Sequence, residues 1–208
     1  MKILDKVHTI LWDFDGVIMD SMPTRSFGFV KVLEKYPKDQ VDELLHYHNS
    51  NGGLSRYVKF RYFFEHIRKE SITEDQVREL ANQFSEVMIT LLLDKALLIQ
   101  DSVDFIQRNY KNYRMHIVSG SDGDELNKIC KELGLSSYFL TIQGSPTPKN
   151  ELVRAVLESN NYQKDEVVLI GDSINDYQAA HINQIRFIGY NNALLKPDND
   201  YIVSFKSL

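Results

Sequence analysis

Four short polar motifs punctuate this chain, and each stands at, or just beyond, the end of an apolar run. Thr9-Ile10-Leu11-Trp12 reads as a buried strand and is followed by Asp13-Phe14-Asp15-Gly16. Met115-His116-Ile117-Val118 is followed by Ser119-Gly120, and Val167-Val168-Leu169-Ile170 by Gly171-Asp172-Ser173-Ile174-Asn175-Asp176. Lys149, in Pro146-Thr147-Pro148-Lys149, comes just after a strand-like stretch at 138–143. Gly16 permits a sharp turn, so that Asp13 and Asp15 can address one cleft. Carboxylates, a hydroxyl and an ammonium at strand ends point to a site for a metal and a phosphoryl group.

Between these motifs the chain alternates. Beyond residue 97 the spacing predicts helices over 101–111, 122–133, 148–159 and 174–182, with strands over 114–118, 138–143, 167–170 and 185–188. Asp101 or Ser102 is placed to cap the first of these helices, and Gly134 to close the second in a left-handed cap. Thr147 and Pro148 fit N-cap and N1 of the third. With the strand at 9–13, the pattern is α/β: a doubly wound parallel sheet with helices on both faces. The residues after Lys196-Pro197 read as a loose tail.

Residues 20–96 break that rhythm. They hold no convincing strand and several amphipathic helices. The clearest covers 74–93, with Val77, Leu80, Ala81, Phe84, Val87, Met88 and Leu91 on one stripe. Thr73 and Gln76 fit a capping box ahead of it. The division expected is a core of 1–19 and 97–208 with an inserted helical domain of 20–96, joined by two connections that make a hinge.

The ordered motifs resemble the haloacid dehalogenase superfamily, in its phosphatase branch with a helical C1-type cap, like β-phosphoglucomutase and phosphoglycolate phosphatase. The resemblance spans essentially the whole chain. Asp13 and Asp15 match its first motif, Ser119 its second, Lys149 its third, and Asp172 with Asp176 its fourth. It implies a Rossmann-like core, a Mg²⁺ cofactor and a cap over the cleft. Asp13 is then the nucleophile, forming an aspartyl-phosphate that divides one difficult displacement into two. Asp15 suits the general acid and base, its pKa raised by the neighbouring anion and by partial burial.

Asp172, as direct ligand, and Asp176, one helical turn on and acting directly or through water, are placed to complete a magnesium site with Asp13, and the resemblance implies that the main-chain carbonyl of Asp15 joins them. Asp172 or Ser173 equally suits an ordinary N-cap. Ser119 and Gly120 offer a hydroxyl and an N–H to phosphate oxygens. Lys149 falls in a helix's first turn, where the dipole disfavours a cation unless carboxylates lie nearby; the alternative is a solvated surface lysine. The piece Gly53-Leu54-Ser55-Arg56 resembles the cap loop of β-phosphoglucomutase-like enzymes. Arg56 is expected either to pair with a distal carboxylate or phosphate of the substrate, with Lys59 assisting, or to be an exposed arginine at a helix start. Tyr57, Phe60, Tyr62, Phe63 and Phe64 read as core of the insertion, and His46 and His48 receive no role.

Composition narrows the partners. The 208 residues are 43% hydrophobic, enough for a sizeable core, and the net charge of −5 leaves no basic stripe for nucleic-acid phosphates. A small phosphorylated metabolite must then be held by a few local cations and a metal. No apolar run approaches ~18 residues and no signal-like leader is read, so the expectation is a cytoplasmic protein without a membrane partner. Cys130, the single cysteine, reads as an inert buried thiol. The function expected is Mg²⁺-dependent hydrolysis of a small phosphomonoester, a sugar phosphate above others. The alternatives are a phosphosugar mutase of the β-phosphoglucomutase type and, outside enzymes, a phospho-accepting receiver-like module. Oligomeric state is left open.

Overall fold

The computed structural model describes residues 3–208. β1 (Thr9–Trp12) forms at the first apolar run, every residue buried. A helical insertion follows: α1 (Met22–Val32), α2 (Lys38–Ser50), α3 (Arg56–Tyr62), which continues into a π-helical turn (Phe63–Arg68), and α4 (Glu74–Leu91). The chain then alternates through α5 (Gln100–Asn109), β2 (Arg114–Asp122), α6 (Gly123–Glu132), β3 (Thr141–Ser145), α7 (Lys149–Asn160), β4 (Val167–Gly171), α8 (Ile174–Ile182), β5 (Arg186–Tyr190) and β6 (Asp200–Ile202).

The six strands form one parallel sheet in the order β3-β2-β1-β4-β5-β6. From β1 the chain winds outward through β2 and β3, crosses back to β4, and winds the other way. That reversal opens a crevice at the C-terminal strand ends, where open α/β sheets bind ligands. Trp12 pairs with Ile117 on one side and Ile170 on the other, so the residues that follow all three emerge at one level. Side chains alternate between faces. Ile10, Trp12, Ile117 and Ile170 pack with α5 and α6, and Leu11, Val118 and Leu169 with α7 and α8. Each of these large side chains stabilises the fold by about 1.5–3 kcal/mol on leaving water.

In the insertion, Thr73 and Gln76 exchange the two hydrogen bonds of a capping box. Val77, Leu80, Ala81, Phe84 and Met88 are buried along α4, whereas Leu91 is exposed where the stripe runs off the helix end. Gly28 lets α1 approach: a Cβ there would lie 2.5 Å from Met88 Cε and 2.9 Å from Phe84 Cε2. The two connections to the core run side by side, with Asp20 N–H donating to Leu97 O at 2.7 Å and Ile99 N–H to Ile18 O at 2.9 Å.

The expected loose tail is corrected. β6 adds a sixth strand, and Phe205 is fully buried against Trp12, Phe105 and Tyr190, with ring centroids 5.4, 5.0 and 4.8 Å away. A three-residue strand is too short to register as periodicity. Asp101 does not cap α5, whose N-cap is Ile99. Its carboxylate instead accepts from the Ser204 and Tyr190 hydroxyls and the Phe205 N–H, tying the tail down. α7 begins after Pro148 as N-cap rather than after Thr147, and β3 begins only at Thr141, because 136–138 form a 3₁₀ turn. Gly134 ends α6 at φ +77°, as its position predicts. Cys130 is buried, its thiol pushed up to about 12 by burial. Among the described residues no helix is long and apolar enough to cross a membrane.

Candidate active site

Asp13 leaves β1 with its N–H still paired to Ile170 O at 2.9 Å. The alternation that turns Leu11 toward α7 and α8 turns Asp13 the same way. There Lys149 Nζ, from the first turn of α7, donates to Asp13 Oδ1 at 2.7 Å and also to Asp176 Oδ1. Burial alone would lower the Lys149 pKa, but these two carboxylates hold it above its ordinary value. They offset the cost of a cation at a helix N-terminus. With 8% exposure, Lys149 is not a surface lysine.

Ser173, not Asp172, caps α8. Its hydroxyl accepts the Asp176 N–H while Asp176 Oδ2 accepts the Ser173 N–H at 3.0 Å and hydroxyl at 2.6 Å. Both oxygens of Asp176 are thus engaged. Asp172 is different: its carboxylate makes no hydrogen bond among the described residues and lies against Gly16. A Cβ on Gly16 would come within 2.0 Å of Asp172 Oδ2, and its φ is +78°, so glycine is required there on both counts.

One oxygen from each of Asp13, Asp172 and Asp176 lies within 4.8 Å of the others. Burial, followed by repulsion from Asp176, pushes Asp13 up to about 7. Burial, followed by repulsion from Asp13 and Asp176, pushes Asp172 up to about 8. A divalent cation would relieve both. Hard oxygen donors in this number suit Mg²⁺, which retains several waters, so the donor set fits the expected metal.

The Asp15 carboxylate faces elsewhere. It accepts the hydroxyls of Ser21 and Ser121, and Arg25 Nε donates to it at 2.7 Å. The expectation of a raised pKa is corrected. Burial pushes it up, but the Arg25 guanidinium and then the two hydroxyls outweigh that and hold it down to about 2. Ser119 is buried on β2, its Oγ accepting the Ser121 N–H at 3.2 Å, which leaves its own proton free to donate. Gly120 meets the insertion: a Cβ there would lie 2.3 Å from Gly53 O. Gly53 in turn abuts Ser173 and Asn175, so the insertion's glycine loop is seated between the β2 and β4 loops.

Arg56 is not an exposed helix-start arginine. It is 4% exposed, its guanidinium 4.5 Å from the Phe84 ring centroid, with Nη1 donating to Ser85 Oγ at 2.6 Å. Its Nη2 lies 2.7 Å from Glu125 Oε2, an ion pair whose angle falls short of a hydrogen bond. Glu125, buried in the first turn of α6, also takes Arg25 Nη1 at 2.8 Å. Tyr57, expected in the insertion core, instead donates its hydroxyl to Asp122 Oδ2 at 2.7 Å. Lys59 Nζ lies 2.9 Å from His48 Nδ1, and both are buried. Asp15, Arg25, His48, Arg56, Lys59 and Ser121 are among the residues lining a cavity of about 20 Å³, room for little more than one water.

Ser21, Arg25, Ser121 and Glu125 escaped the sequence reading. Arg25 and Glu125 are a hundred residues apart, and only the acid-rich start Asp122-Gly123-Asp124-Glu125 marks one of them locally.

Residues 10–190 match the family described as haloacid dehalogenase-like hydrolase. The chain is similar to a phosphoglycolate phosphatase of Colwellia psychrerythraea, 22% identical over 198 residues that cover 91% of this chain and 86% of the relative. It is also similar to a phosphorylated carbohydrates phosphatase of Thermotoga maritima, 22% identical over 181 residues, 84% and 80% of the two chains. Its fold is similar to that of CbbY from Rhodobacter sphaeroides in complex with xylulose-(1,5)bisphosphate, with a TM-score of 0.77 at 16% identity, covering 97% and 96%.

Proposed function

The chain belongs to the haloacid dehalogenase-like hydrolase family, and from that premise we propose that it is a Mg²⁺-dependent phosphatase of small phosphomonoesters, sugar phosphates among them, working through an aspartyl-phosphate on Asp13. The observation that carries this reading is Asp13 itself, flanked by a buried ammonium at 2.7 Å and by the unpartnered carboxylate of Asp172. Lys149 occupies Asp13 Oδ1, which leaves Oδ2 for the attack on phosphorus. The Ser119 hydroxyl, the Gly120 N–H and Lys149 then hold the phosphoryl oxygens. Mg²⁺, held by Asp13, Asp172, the Asp15 carbonyl and the engaged Asp176 behind them, would neutralise charge on both the phosphoryl group and the carboxylates.

In the first step an Asp13 oxygen–phosphorus bond forms and the ester bond breaks, the leaving oxygen taking a proton from Asp15. In the second, water attacks phosphorus, gives its proton to Asp15, and releases inorganic phosphate and free Asp13. In the arrangement described, Asp15 is in its base form, and Arg25 with the two serine hydroxyls holds its pKa too low for either proton transfer. Its service as acid requires release from Arg25, which sits on α1 of the insertion. We read residues 20–96 as the cap for this reason. The mutase alternative rested on the resemblance of Gly53-Leu54-Ser55-Arg56 to the β-phosphoglucomutase cap loop, and the pairing of Arg56 with Glu125 favours the phosphatase reading over it. The receiver-like alternative falls with membership of the hydrolase family.

The test is phosphate release from a panel of sugar phosphates, nucleotides and 2-phosphoglycolate, with Mg²⁺ and with chelator. Release that requires the metal and disappears in a folded Asp13→Asn variant is expected. Turnover retained in that variant sinks the mechanism.

A further inference from the structure

The stretch of β2 that carries Ser119 and Gly120 leaves the regular ladder. Val118 pairs with Gln143 and Asp122 with Ser145, so β2 advances four residues while β3 advances two. Such a bulge re-aims side chains and leaves its extra residues unpaired. The residues inside it are Ser119, Gly120 and Ser121, and the first two hold phosphoryl oxygens in the reading above. The ladder takes the chain up again at Asp122.

Asp122 divides its carboxylate between core and insertion. Its Oδ1 accepts the Asp124 and Glu125 N–H groups at 3.1 Å each and so caps α6. Its Oδ2 accepts the Tyr57 hydroxyl at 2.7 Å. Tyr57 lies in the first turn of α3, just after the N-cap Ser55 and close in sequence to Gly53, whose carbonyl faces Gly120. One hydrogen bond therefore joins the end of the bulge to the helix that carries the glycine loop. Burial, and then the bond to Asp122, push Tyr57 up to about 12, so its hydroxyl remains a donor through the neutral range.

The neighbouring contact between α3 and α6 fixes position less well. Arg56 Nη2 and Glu125 Oε2 are 2.7 Å apart, yet neither atom has a hydrogen bond. A buried ion pair without hydrogen bonds barely offsets its own desolvation, and its attraction is nearly independent of angle. The Tyr57–Asp122 bond is directional. Both residues are half-buried, so water can replace either partner when the insertion moves.

We infer that Tyr57 is a positioning residue: through Asp122 it holds the insertion's glycine loop in register with the bulged segment Ser119-Gly120-Ser121, and it touches no substrate atom itself. This rests on the phosphatase reading above. Because the bond is made within the protein, its contribution is the same for every ester.

The test measures kcat and KM for 2-phosphoglycolate, glycerol phosphate and p-nitrophenyl phosphate on the Mg²⁺-loaded protein. Tyr57→Phe should lower kcat/KM by one common factor, on the order of 5- to 10-fold, the size of one partly solvated hydrogen bond. The loss should fall on KM, whereas a smaller folded fraction would lower kcat alone. Asp122→Asn still caps α6 through Oδ1 and can donate from Nδ2 to the Tyr57 oxygen, so it should stay within about twofold of wild type. Asp122→Ala should cost at least as much as Tyr57→Phe, and adding Tyr57→Phe to it should change kcat/KM by less than about twofold. Losses that multiply in the double variant overturn the inference, as does a Tyr57→Phe value within about twofold of wild type or a loss confined to kcat. A loss that differs by more than about threefold between esters makes Tyr57 a substrate contact instead. If no ester is hydrolysed, the phosphatase reading fails, and amide hydrogen exchange over residues 117–123 decides the positioning role. Exchange there should be faster in Tyr57→Phe, and equal exchange in the two proteins overturns the inference.

Discussion

Gly120→Ala adds one methyl group and keeps the N–H that a phosphate oxygen would use. Built on this backbone, the methyl carbon lies 2.3 Å from Gly53 O and 3.0 Å from Gly53 C. An ordinary carbon–oxygen contact is about 3.3 Å, so the insertion loop must retreat by about 1 Å. The neighbour is main chain rather than a side chain that can rotate, and Ser173 and Asn175 confine Gly53 from its other side. The hydrophobic cores of sheet and insertion are untouched, so the melting temperature should move by no more than ~4 °C, the equivalent of about 1 kcal/mol for a chain of this size. The rate should respond far more, because a displacement of about 1 Å at a reacting centre costs on the order of 100-fold. Steady-state phosphate release on the best substrate of the panel, with melts of both proteins, reads this directly. The expected result is a kcat/KM lower by ~10- to 100-fold at nearly unchanged stability. A kcat/KM within twofold of wild type would refute the reasoning, since the two loops could then not be in contact during turnover.

Three further outcomes follow from the same geometry. Phe205→Ala should lower stability by about 3–5 kcal/mol in urea unfolding, as for other buried phenylalanines, and a loss under ~1 kcal/mol would show that the tail is not docked. Mg²⁺ should raise the melting temperature by mass action, worth about 2.7 kcal/mol at a hundred times its Kd, and Asp172→Ala should abolish that rise. An equal rise in the variant removes Asp172 from the metal site. Burial holds His48 down to about 3 and His116 down to about 4. Each of these two groups binds more protons in the unfolded chain below about pH 6.5, so its contribution to stability is complete above that pH and lost as pH falls toward 4, while Asp13 and Asp172, raised in the folded chain, contribute in the opposite direction. His116→Gln should therefore keep more of its denaturant midpoint than wild type does between pH 7 and pH 5, and an identical pH dependence in the two proteins contradicts it.

Local patterns carried the sheet and its motifs because their causes are local. An apolar run ending in a carboxylate makes a buried strand with that carboxylate at its C-terminal end, as at Trp12-Asp13 and Gly171-Asp172. Thr73 with Gln76, and Gly134, announced helix ends through interactions within a few residues. The polar set of the core, Asp13, Ser119, Lys149, Asp172 and Asp176, was legible for the same reason, because the crossover rule of a parallel sheet brings strand ends together. The docked tail was not, since three residues of strand and one phenylalanine have no period.

What the sequence determined by itself was the α/β core, the inserted helices and the identity of the residues at the strand ends. The tertiary structure alone decided how the charges pair. Arg25 reaches back to ionise Asp15, Glu125 meets two arginines from another part of the chain, and Arg56 is thereby withdrawn while Lys59 is left without a counter-ion. The physical reason is that a pKa or an ion pair depends on distance and burial in space, and neither quantity is set by spacing along the chain.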